Sequence, residues 1–335
     1  MTTTTTINTI LEHLRNGNDL SIDMGKQAFG ALLQGELDPA QAGALLLGLS
    51  MKGETAVELG EAVNMALQQA RVITDLTEKR IDTCGTGGDG KNSFNCSTAV
   101  SLFLADMGYK VVKHGNKGVS SKCGSADIVK ALGFPFVDSA QEAHAELAKR
   151  NFVFLFAPTF HPAFKHVAPI RKSLGIRTLF NLVGPLINPA LPTHQIMGVP
   201  APEFAPLMAA VLAKRGVKAA VVHGAGGFDE LTPCGPSQVI MVAKGATSIM
   251  ELNPQSLGFK RCEPRDMECT GPDDALEKQK FILAGTGPRA MQDMVALNLG
   301  MAIHILEEEV PLAEAMQQAR IKVHEGVTEV LSHAS

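Results

Sequence analysis

The 335-residue sequence has no tryptophan and a single tyrosine, and its acidic residues outnumber its basic ones, giving a formal net charge of −4. Proteins that bind nucleic acid neutralise phosphates with Lys and Arg, and those that bind single strands also stack bases on aromatic rings. This chain has no net positive charge, and a base-stacking surface would have to be built almost entirely from phenylalanine. The negative charge also gives no general attraction to anionic lipid. We therefore expect neither nucleic acid nor a membrane among the partners.

Signals for a membrane or for an oxidising compartment are also missing. No apolar run approaches the ~20 residues of a membrane-spanning helix. The N-terminus, Met1 followed by five threonines, lacks the basic and then apolar segments of a signal peptide. The six cysteines include no CxxC pair and no zinc-type spacing. In a chain of this size, that pattern is typical of reduced thiols, and we expect a cytoplasmic protein.

Several common catalytic motifs are absent as well. There is no GxxxxGK[ST], which excludes a nucleoside triphosphatase of that class. The stretch GTGGDG (Gly85–Gly90) does not have the GxGxxG register of a dinucleotide site. Without a GxSxG elbow, nucleophilic serine chemistry has no support. His161 and His166 are five residues apart, so they would not share one helix face as a zinc pair requires.

The most informative stretch is 81–125, where two β-type segments each lead into a loop of small and polar residues. Arg80–Thr83 precedes the glycine-rich Gly85–Gly90, and Lys110–Lys113 precedes the sequence KHGNKGVSS (Lys113–Ser121). Glycines let backbone N–H groups lie against a ligand, and successive N–H groups beside a helix start attract anions. Either loop alone could be a simple tight turn. Because the carboxyl ends of parallel strands share one edge of a sheet, the pair predicts a site for a large, highly charged anion.

A third polar segment follows a later predicted strand. Ala219–His223 leads into a short glycine loop that ends in the adjacent acids Asp229 and Glu230. Carboxylate oxygens are suited to hard divalent cations. A surface turn with two exposed acids is the alternative. The position after a strand, on the edge that carries the predicted anion site, favours a magnesium site.

The chain divides into an all-helical start and a longer α/β part. Helices are predicted over residues 7–72, with Ser21, Asp38 and Thr55 as N-caps. From residue 80 onward, strands and helices alternate, which predicts an α/β fold with a mainly parallel sheet. The expected domains are 1–75, joined in space by part of 162–190, and 76–335. The remaining predicted strands are Phe152–Phe156, Gln195–Val199 and Gln238–Val242; the predicted helices of this part are Ala99–Met107, Ala126–Leu132 (capped by Ser125), Ala140–Lys149, Pro202–Arg215, Gly287–Glu308 and Leu312–Leu331.

Taken in order, these motifs resemble those of one family, the anthranilate phosphoribosyltransferases of tryptophan biosynthesis. The resemblance extends over nearly the whole chain. The matching stretches are GTGGDG (Gly85–Gly90), SFNCSTA (Ser93–Ala99), KHGNKGVSS (Lys113–Ser121), GSAD (Gly124–Asp127), the segment Phe156–Pro189 and HGAGGFDEL (His223–Leu231).

The resemblance implies a small helical domain hinged to an α/β domain, in a homodimer formed through the helical parts. It implies an enzyme that transfers the phosphoribosyl group of 5-phosphoribosyl 1-pyrophosphate (PRPP) to the amino group of anthranilate and releases pyrophosphate. It also allows an association with anthranilate synthase. Magnesium, as two ions with PRPP, is the implied cofactor.

Site residues follow from the same resemblance. Arg171, His114 and Lys113 are implied at the reacting centre, with Arg171 holding the anthranilate carboxylate. Anthranilate is placed at Gly85, Asn116, His161 and Arg171, and magnesium at Ser97, Asp229 and Glu230. The implied PRPP contacts are Gly85, Gly88, Asp89, Ser93, Asn95, Cys96, Ser97, Thr98, Lys113, His114, Gly115, Asn116, Lys117, Gly118, Val119, Ser120, Ser121 and Ser125.

The sequence departs from the family pattern at a few positions. Lys117 stands where arginine is usual, which keeps the charge but loses the bidentate fork. Gly118 replaces a larger or hydroxylic residue, and Ser93 replaces threonine. Phe164 stands where methionine is frequent in the acceptor tunnel. These departures bear on affinity and on acceptor preference, whereas Arg171 and the metal ligands are intact.

Two other functions remain open. One is a relative that ribosylates another aromatic or heterocyclic acceptor, or that performs nucleoside phosphorolysis. Arg171 and Asn116, which suit a carboxylated acceptor, argue against it. The other is a non-catalytic nucleotide- or nucleic-acid-binding descendant of the fold. Such a protein is expected to lack an intact GTGGD stretch or the acidic pair, and this chain has both.

Overall fold

The computed structural model describes residues 6–117 and 124–332. They form two compact units. The helical unit comprises residues 6–72 and 158–189, and the sheet unit comprises the described residues of 73–157 and 190–332. From the sequence, the helical domain was expected to end at residue 75, and the later segment that joins it in space was expected within 162–190. Among the described helices, none is both long and apolar enough to cross a bilayer.

Helices occupy most of the described chain. Short 3-10 turns cover Gly184–Leu186, Pro254–Leu257 and Pro264–Met267. The α-helices in chain order are α1 (Ile7–Arg15), α2 (Ile22–Gln34), α3 (Pro39–Lys52), α4 (Ala56–Gln68), α5 (Cys96–Asp106), α6 (Ser125–Ala131), α7 (Ala140–Arg150), α8 (Ala157–Phe160), α9 (Phe164–Leu174), α10 (Phe180–Val183), α11 (Phe204–Lys214), α12 (Pro272–Leu283), α13 (Arg289–Leu306), α14 (Leu312–Glu325) and α15 (Glu329–Ser332).

The three N-caps predicted for the helical unit are confirmed. Ser21, Asp38 and Thr55 each accept a hydrogen bond from the backbone N–H three residues on, which satisfies a donor that the helix itself leaves unpaired. The carboxylate of Glu58 completes a capping box with Thr55, accepting its N–H at 2.8 Å, and it also accepts a bond from Lys52 Nζ at 2.9 Å. These polar contacts set the helix starts.

The segment 158–189 contributes α9 and α10 to the helical unit. Helix α9 packs against α2 and α3, and α10 packs against α4. The Phe180 ring meets the Phe29 ring edge to face, with 6.5 Å between centroids. Both rings are buried, so the returning segment shares the core of residues 6–72.

One seven-stranded sheet forms the centre of the sheet unit, in the order β3-β2-β1-β4-β5-β6-β7. The first five strands of that order are parallel, which confirms the predicted fold class. Successive strands are added on one side of β1 up to β3 and on its other side from β4 onward, and such a switch point in strand order is where open α/β sheets bind ligands. The strands are β1 (Ile81–Gly85), β2 (Val111–Gly115), β3 (Phe152–Phe156), β4 (His194–Gly198), β5 (Lys218–His223), β6 (Ser237–Ala243) and β7 (Ala246–Leu252).

Helices α5 and α13 build the core against this sheet. Every residue of α5 from Thr98 to Ala105 is buried, as is nearly all of α13. This explains why the apolar residues of both helices run almost continuously rather than along one stripe. The sheet unit therefore has a large apolar interior beneath one rim of loops.

Strand β7 and helix α12 are among the elements that were not predicted, and the predicted helix Leu312–Leu331 is divided into α14 and α15. Strand β7 pairs antiparallel with β6 through a two-residue turn, Lys244–Gly245, whose positive φ angles (51° and 74°) suit a tight hairpin. Because β7 is mostly exposed, it lacks an alternating apolar pattern. Helix α12 was also missed, although Pro272 at its start is a usable signal. Strand β6 is antiparallel to β5, which is compatible with a mainly parallel sheet. The predicted cap Ser125 is instead the first residue of α6, and Gly124 is the cap.

Candidate active site

Three loops meet at the carboxyl ends of β1, β2 and β5 around a cavity of about 300 Å³. We call them the glycine loop (Gly85–Lys91), the lysine loop (its described part, Lys113–Lys117) and the acidic loop (Gly224–Glu230). The prediction that the two donor-rich loops and the acidic pair lie at one edge of the sheet is confirmed. The cavity is lined by Cys84–Asp89, Lys91, Ser93–Asn95, Ser97, Lys113–Lys117, Gly124, Ser125, Asp229 and Glu230.

The acidic loop lies against the ends of β1 and β4 because both strands end in glycine. A Cβ atom on Gly198 would stand 1.6 Å from the carbonyl oxygen of Asp229, and one on Gly85 would stand 2.3 Å from Asp229 Oδ2. The N–H of Gly87 donates to the same Oδ2 at 3.1 Å. The two glycines thus allow a close approach that fixes Asp229 beside the glycine loop.

Helix α13 holds the other end of the acidic loop. The side chain of Asn298 accepts the N–H of Leu231 at 3.0 Å and donates to its carbonyl oxygen at 2.8 Å. The backbone after Glu230 is therefore tied to a buried helix. This anchor sets the position of the acids from the core of the unit.

Asp89 joins Asp229 and Glu230 in one cluster, with carboxylate oxygens within 4.8 Å of one another. Burial raises the pKa of Asp89 to about 6, and the charge of Asp229 adds to the effect. Burial likewise raises the pKa of Glu230, again with Asp229 as the next cause. Three close carboxylates repel one another, and a divalent cation relieves that repulsion. The sequence had assigned Asp89 to PRPP and Ser97 to the metal.

Ser97 belongs to a polar group at the start of α5. Asn95 caps the helix by accepting the N–H of Thr98 at 3.1 Å, and it also accepts the Ser97 hydroxyl at 3.2 Å. The buried ammonium of Lys113 donates to Thr83 O at 2.7 Å and to Ser97 Oγ at 3.2 Å. Burial lowers the pKa of Lys113, although nearby Asp82 opposes that shift. Lys113 is thus held in place by the strand and helix beneath the cavity.

The described part of the lysine loop is fixed by α6. A Cβ atom on Gly115 would lie 2.2 Å from Ser125 Oγ, so this glycine permits close packing of the loop on the helix start. The carbonyl oxygen of Asn116 accepts the N–H of Ala126 at 3.3 Å. His114, Asn116, Lys117 and Ser125 all line the cavity.

Most predicted PRPP residues among the described ones line this cavity, but Cys96 and Thr98 do not. Both are fully buried in α5, and Cys96 packs in the apolar core. The assignment of both residues to PRPP therefore stays a prediction. The predictions for Gly118, Val119, Ser120 and Ser121 lie outside the described residues.

Arg171 and His161, which are predicted to bind anthranilate, belong to the helical unit. Arg171 lies half-buried on α9, and burial lowers its pKa. Burial also lowers the pKa of His161 to about 4, so its imidazole is neutral at pH 7. The Phe164 ring packs between His161 and Phe180, with both centroid distances at 5.7 Å. The residue that departs from the family pattern therefore contacts a predicted acceptor residue directly.

Sequence reasoning missed several cavity residues. Lys91 follows the glycine-rich motif directly, and its charge was a usable signal. Thr86 also lines the cavity, and its N–H donates to Gly198 O at 3.0 Å. Nothing in the sequence pointed to Gly198, because its importance depends on which loop lies over it.

Both parts of the chain match known protein families. Residues 77–329 match the glycosyl transferase family, a/b domain, and residues 8–70 match the helical bundle domain of the same family. The chain is thus a two-domain glycosyl transferase.

Individual relatives identify the family within this class of transferases. The chain is 52% identical to the anthranilate phosphoribosyltransferase of Oleidesulfovibrio alaskensis, over 95% of this chain and 96% of the relative. It is 34% identical to the crystal structure of that enzyme from Thermus thermophilus, with a TM-score of 0.87 and 96% of each chain covered. The Saccharomyces cerevisiae enzyme in complex with PRPP and Mg is 26% identical, with a TM-score of 0.87 over 98% of this chain and 96% of that one. The chain belongs to the anthranilate phosphoribosyltransferase family.

Proposed function

We propose that the protein transfers the phosphoribosyl group of PRPP to the amino group of anthranilate. The anthranilate nitrogen attacks C1 of the ribose, the bond from C1 to the pyrophosphate oxygen breaks, and the nitrogen loses a proton. The products are N-(5-phosphoribosyl)anthranilate and pyrophosphate. The observation that carries the proposal is the convergence of two donor-rich loops and three carboxylates at one cavity, in a chain of this family.

PRPP is assigned to the cavity of the sheet unit. Backbone N–H groups of the glycine loop and the ammonium of Lys113 supply positive potential for phosphate oxygens. Lys113 is oriented by Thr83 and Ser97, so little reorganisation accompanies the reaction. We assign it to stabilise the charge that develops on the leaving pyrophosphate.

The carboxylate cluster fits magnesium. Its donors are hard oxygens. Burial and then the charge of Asp229 raise the pKa of Asp89 and of Glu230, and a bound cation would favour their charged forms. We assign Asp89, Asp229 and Glu230 to hold the ion, with Ser97 as a further oxygen ligand, and two ions with PRPP remain our expectation. Magnesium, when bound, neutralises charge on the pyrophosphate.

The acceptor assignment rests on the family pattern. Arg171 is proposed to bind the anthranilate carboxylate, since a guanidinium can donate two parallel hydrogen bonds to it. The other residues proposed to bind anthranilate are Gly85, Asn116 and His161. His114 is proposed to lie at the reacting centre. An aromatic amine is uncharged at pH 7, and the neutral His161 is consistent with an aromatic neighbour. No strong base is required for the attack.

The test follows the loss of anthranilate fluorescence after PRPP and Mg²⁺ are added. We expect rapid loss that requires all three components, and a roughly hundredfold or greater decrease in kcat/KM for Asp229→Asn. The matched control is Asp138→Asn, an exposed carboxylate of the same unit, which should retain full activity. Loss without PRPP or without Mg²⁺, or equal rates in both variants, would contradict the proposal. Turnover of another aromatic amine but not anthranilate would favour the alternative acceptor.

We further propose a cytoplasmic homodimer. The five described cysteines are free, in keeping with a reducing compartment. The helical unit exposes large apolar side chains, including Met51 (80% exposed) and Ile22 (45%), which a partner subunit would cover. Light scattering at micromolar concentration tests the dimer, since a monomeric mass would refute it. Association with anthranilate synthase stays a prediction.

A further inference from the structure

Lys91 connects the glycine loop to the acidic loop. Its N–H donates to Asp89 Oδ1 at 3.0 Å, which ties its backbone to the carboxylate cluster. Its ammonium lies over the buried Phe228 ring, 5.3 Å from the centroid. A Cβ atom on Gly227 would be 3.5 Å from Lys91 Cε, so the side chain runs along the glycines of the acidic loop. Lys91 also lines the cavity.

The ammonium of Lys91 differs from that of Lys113. Lys113 Nζ is buried and engaged by Thr83 and Ser97. For Lys91 Nζ, no described residue provides a hydrogen bond or an ion-pair partner. The Phe228 ring attracts the charged end but offers no oxygen or nitrogen acceptor for its N–H donors. A ligand in the cavity would supply those acceptors.

The charge balance of the cavity indicates what that ligand is. Phe228 immediately precedes Asp229, so the ring holds the ammonium beside the loop that carries two of the three clustered acids. A polyanion bound there with its cation faces three carboxylates, and an added positive charge offsets their repulsion. The aromatic face restricts the ammonium in advance, which lowers the entropy lost on binding.

We propose that Lys91 binds the pyrophosphate group, in PRPP and in the released product, from the side of the carboxylate cluster. This inference rests on the proposed function, since it names a further binding residue for the same site. On this inference, Lys91 increases the affinity for PRPP and for pyrophosphate and does not contact anthranilate.

The experiment compares Lys91→Met, Lys91→Arg and Lys260→Met with the parent protein. Methionine keeps the contact with Phe228 and removes the charge, whereas arginine restores a cation. Lys260 is an exposed lysine of the same unit with no ion pair among the described residues, so its change controls for net charge. Calorimetry measures the Kd for pyrophosphate with saturating Mg²⁺, and fluorescence measures both KM values.

For Lys91→Met we expect about a tenfold increase in the pyrophosphate Kd and in the KM for PRPP, with an unchanged KM for anthranilate. Lys91→Arg should recover most of the affinity, and Lys260→Met should match the parent. An unchanged pyrophosphate Kd in Lys91→Met overturns the inference. So does an equal rise in both KM values with no recovery by arginine, since that pattern indicates a structural role. If the parent binds pyrophosphate but does not consume anthranilate, the proposed function fails while the Kd comparison still decides the role of Lys91.

Discussion

Substitution of Gly198 by alanine is expected to displace the metal-binding carboxylates without removing any of them. Gly198 ends β4, paired with Gly85 on one side and Val222 on the other, in backbone that alanine can adopt. The added Cβ would stand 1.6 Å from the carbonyl oxygen of Asp229 and 2.7 Å from its carbonyl carbon. Both are backbone atoms, so no side-chain rotation relieves the clash.

The distance by which the Asp229 carbonyl group must move determines the expected loss of activity. Cβ contacts shorter than 3.0 Å are essentially never seen, so the Asp229 carbonyl must move by about 1.4 Å relative to β4. A misplacement of about 1 Å in a catalytic group costs roughly a hundredfold in rate. That factor corresponds to about 2.7 kcal/mol of transition-state stabilisation. The Asn298 anchor resists the movement from the other end, so the stability should fall as well.

The assay measures kcat/KM by anthranilate fluorescence across a Mg²⁺ titration, with thermal unfolding recorded in parallel. For Gly198→Ala we expect the roughly hundredfold decrease in kcat/KM together with a higher Mg²⁺ concentration for half-maximal activity. Gly271→Ala is the control, because its Cβ would have no atom within 4 Å and its backbone is extended. Activity within threefold of the parent in Gly198→Ala, with an unchanged Mg²⁺ requirement, would refute the reasoning.

Three further predictions concern Arg171, Asp106 and Glu58. Arg171→Ala should raise the KM for anthranilate by about 10- to 100-fold and leave the KM for PRPP unchanged. Arg171→Lys should give an intermediate KM for anthranilate. Equal increases in both KM values would contradict the assignment of Arg171 to anthranilate. Asp106→Asn should lower the free energy of unfolding by about 2 kcal/mol at pH 7, since this carboxylate accepts Lys322 Nζ and three backbone N–H groups. Burial acts to raise the pKa of Asp106, but these donors outweigh it and lower the pKa, so the stabilisation is present above pH ~4 and should vanish as urea titrations move to lower pH. Glu58→Ala should lower the free energy of unfolding by about 2–4 kcal/mol in urea titrations, because two backbone N–H groups lose their acceptor while Lys52 keeps Asp19. A smaller loss than in Glu12→Ala would refute this.

Local chemistry allowed much of the fold to be predicted. N-caps such as Ser21 and Asp38 depend on residues within one helical turn, and they were found where expected. Strand β3, a continuous apolar run, was predicted to the residue. Strand β7 was missed because its exposure leaves no apolar alternation, and its position depends on pairing with β6.

The two donor-rich loops, the acidic pair and the order of helical and α/β parts could be predicted from the sequence alone, because each depends on residues close together in the chain. The tertiary structure had to be known before Asp89 could be placed in the carboxylate cluster and before Cys96 and Thr98 could be recognised as buried. Only it revealed the need for glycine at position 198, where the acidic loop lies against β4. These features depend on β4 lying between β1 and β5, a long-range arrangement that no local pattern encodes.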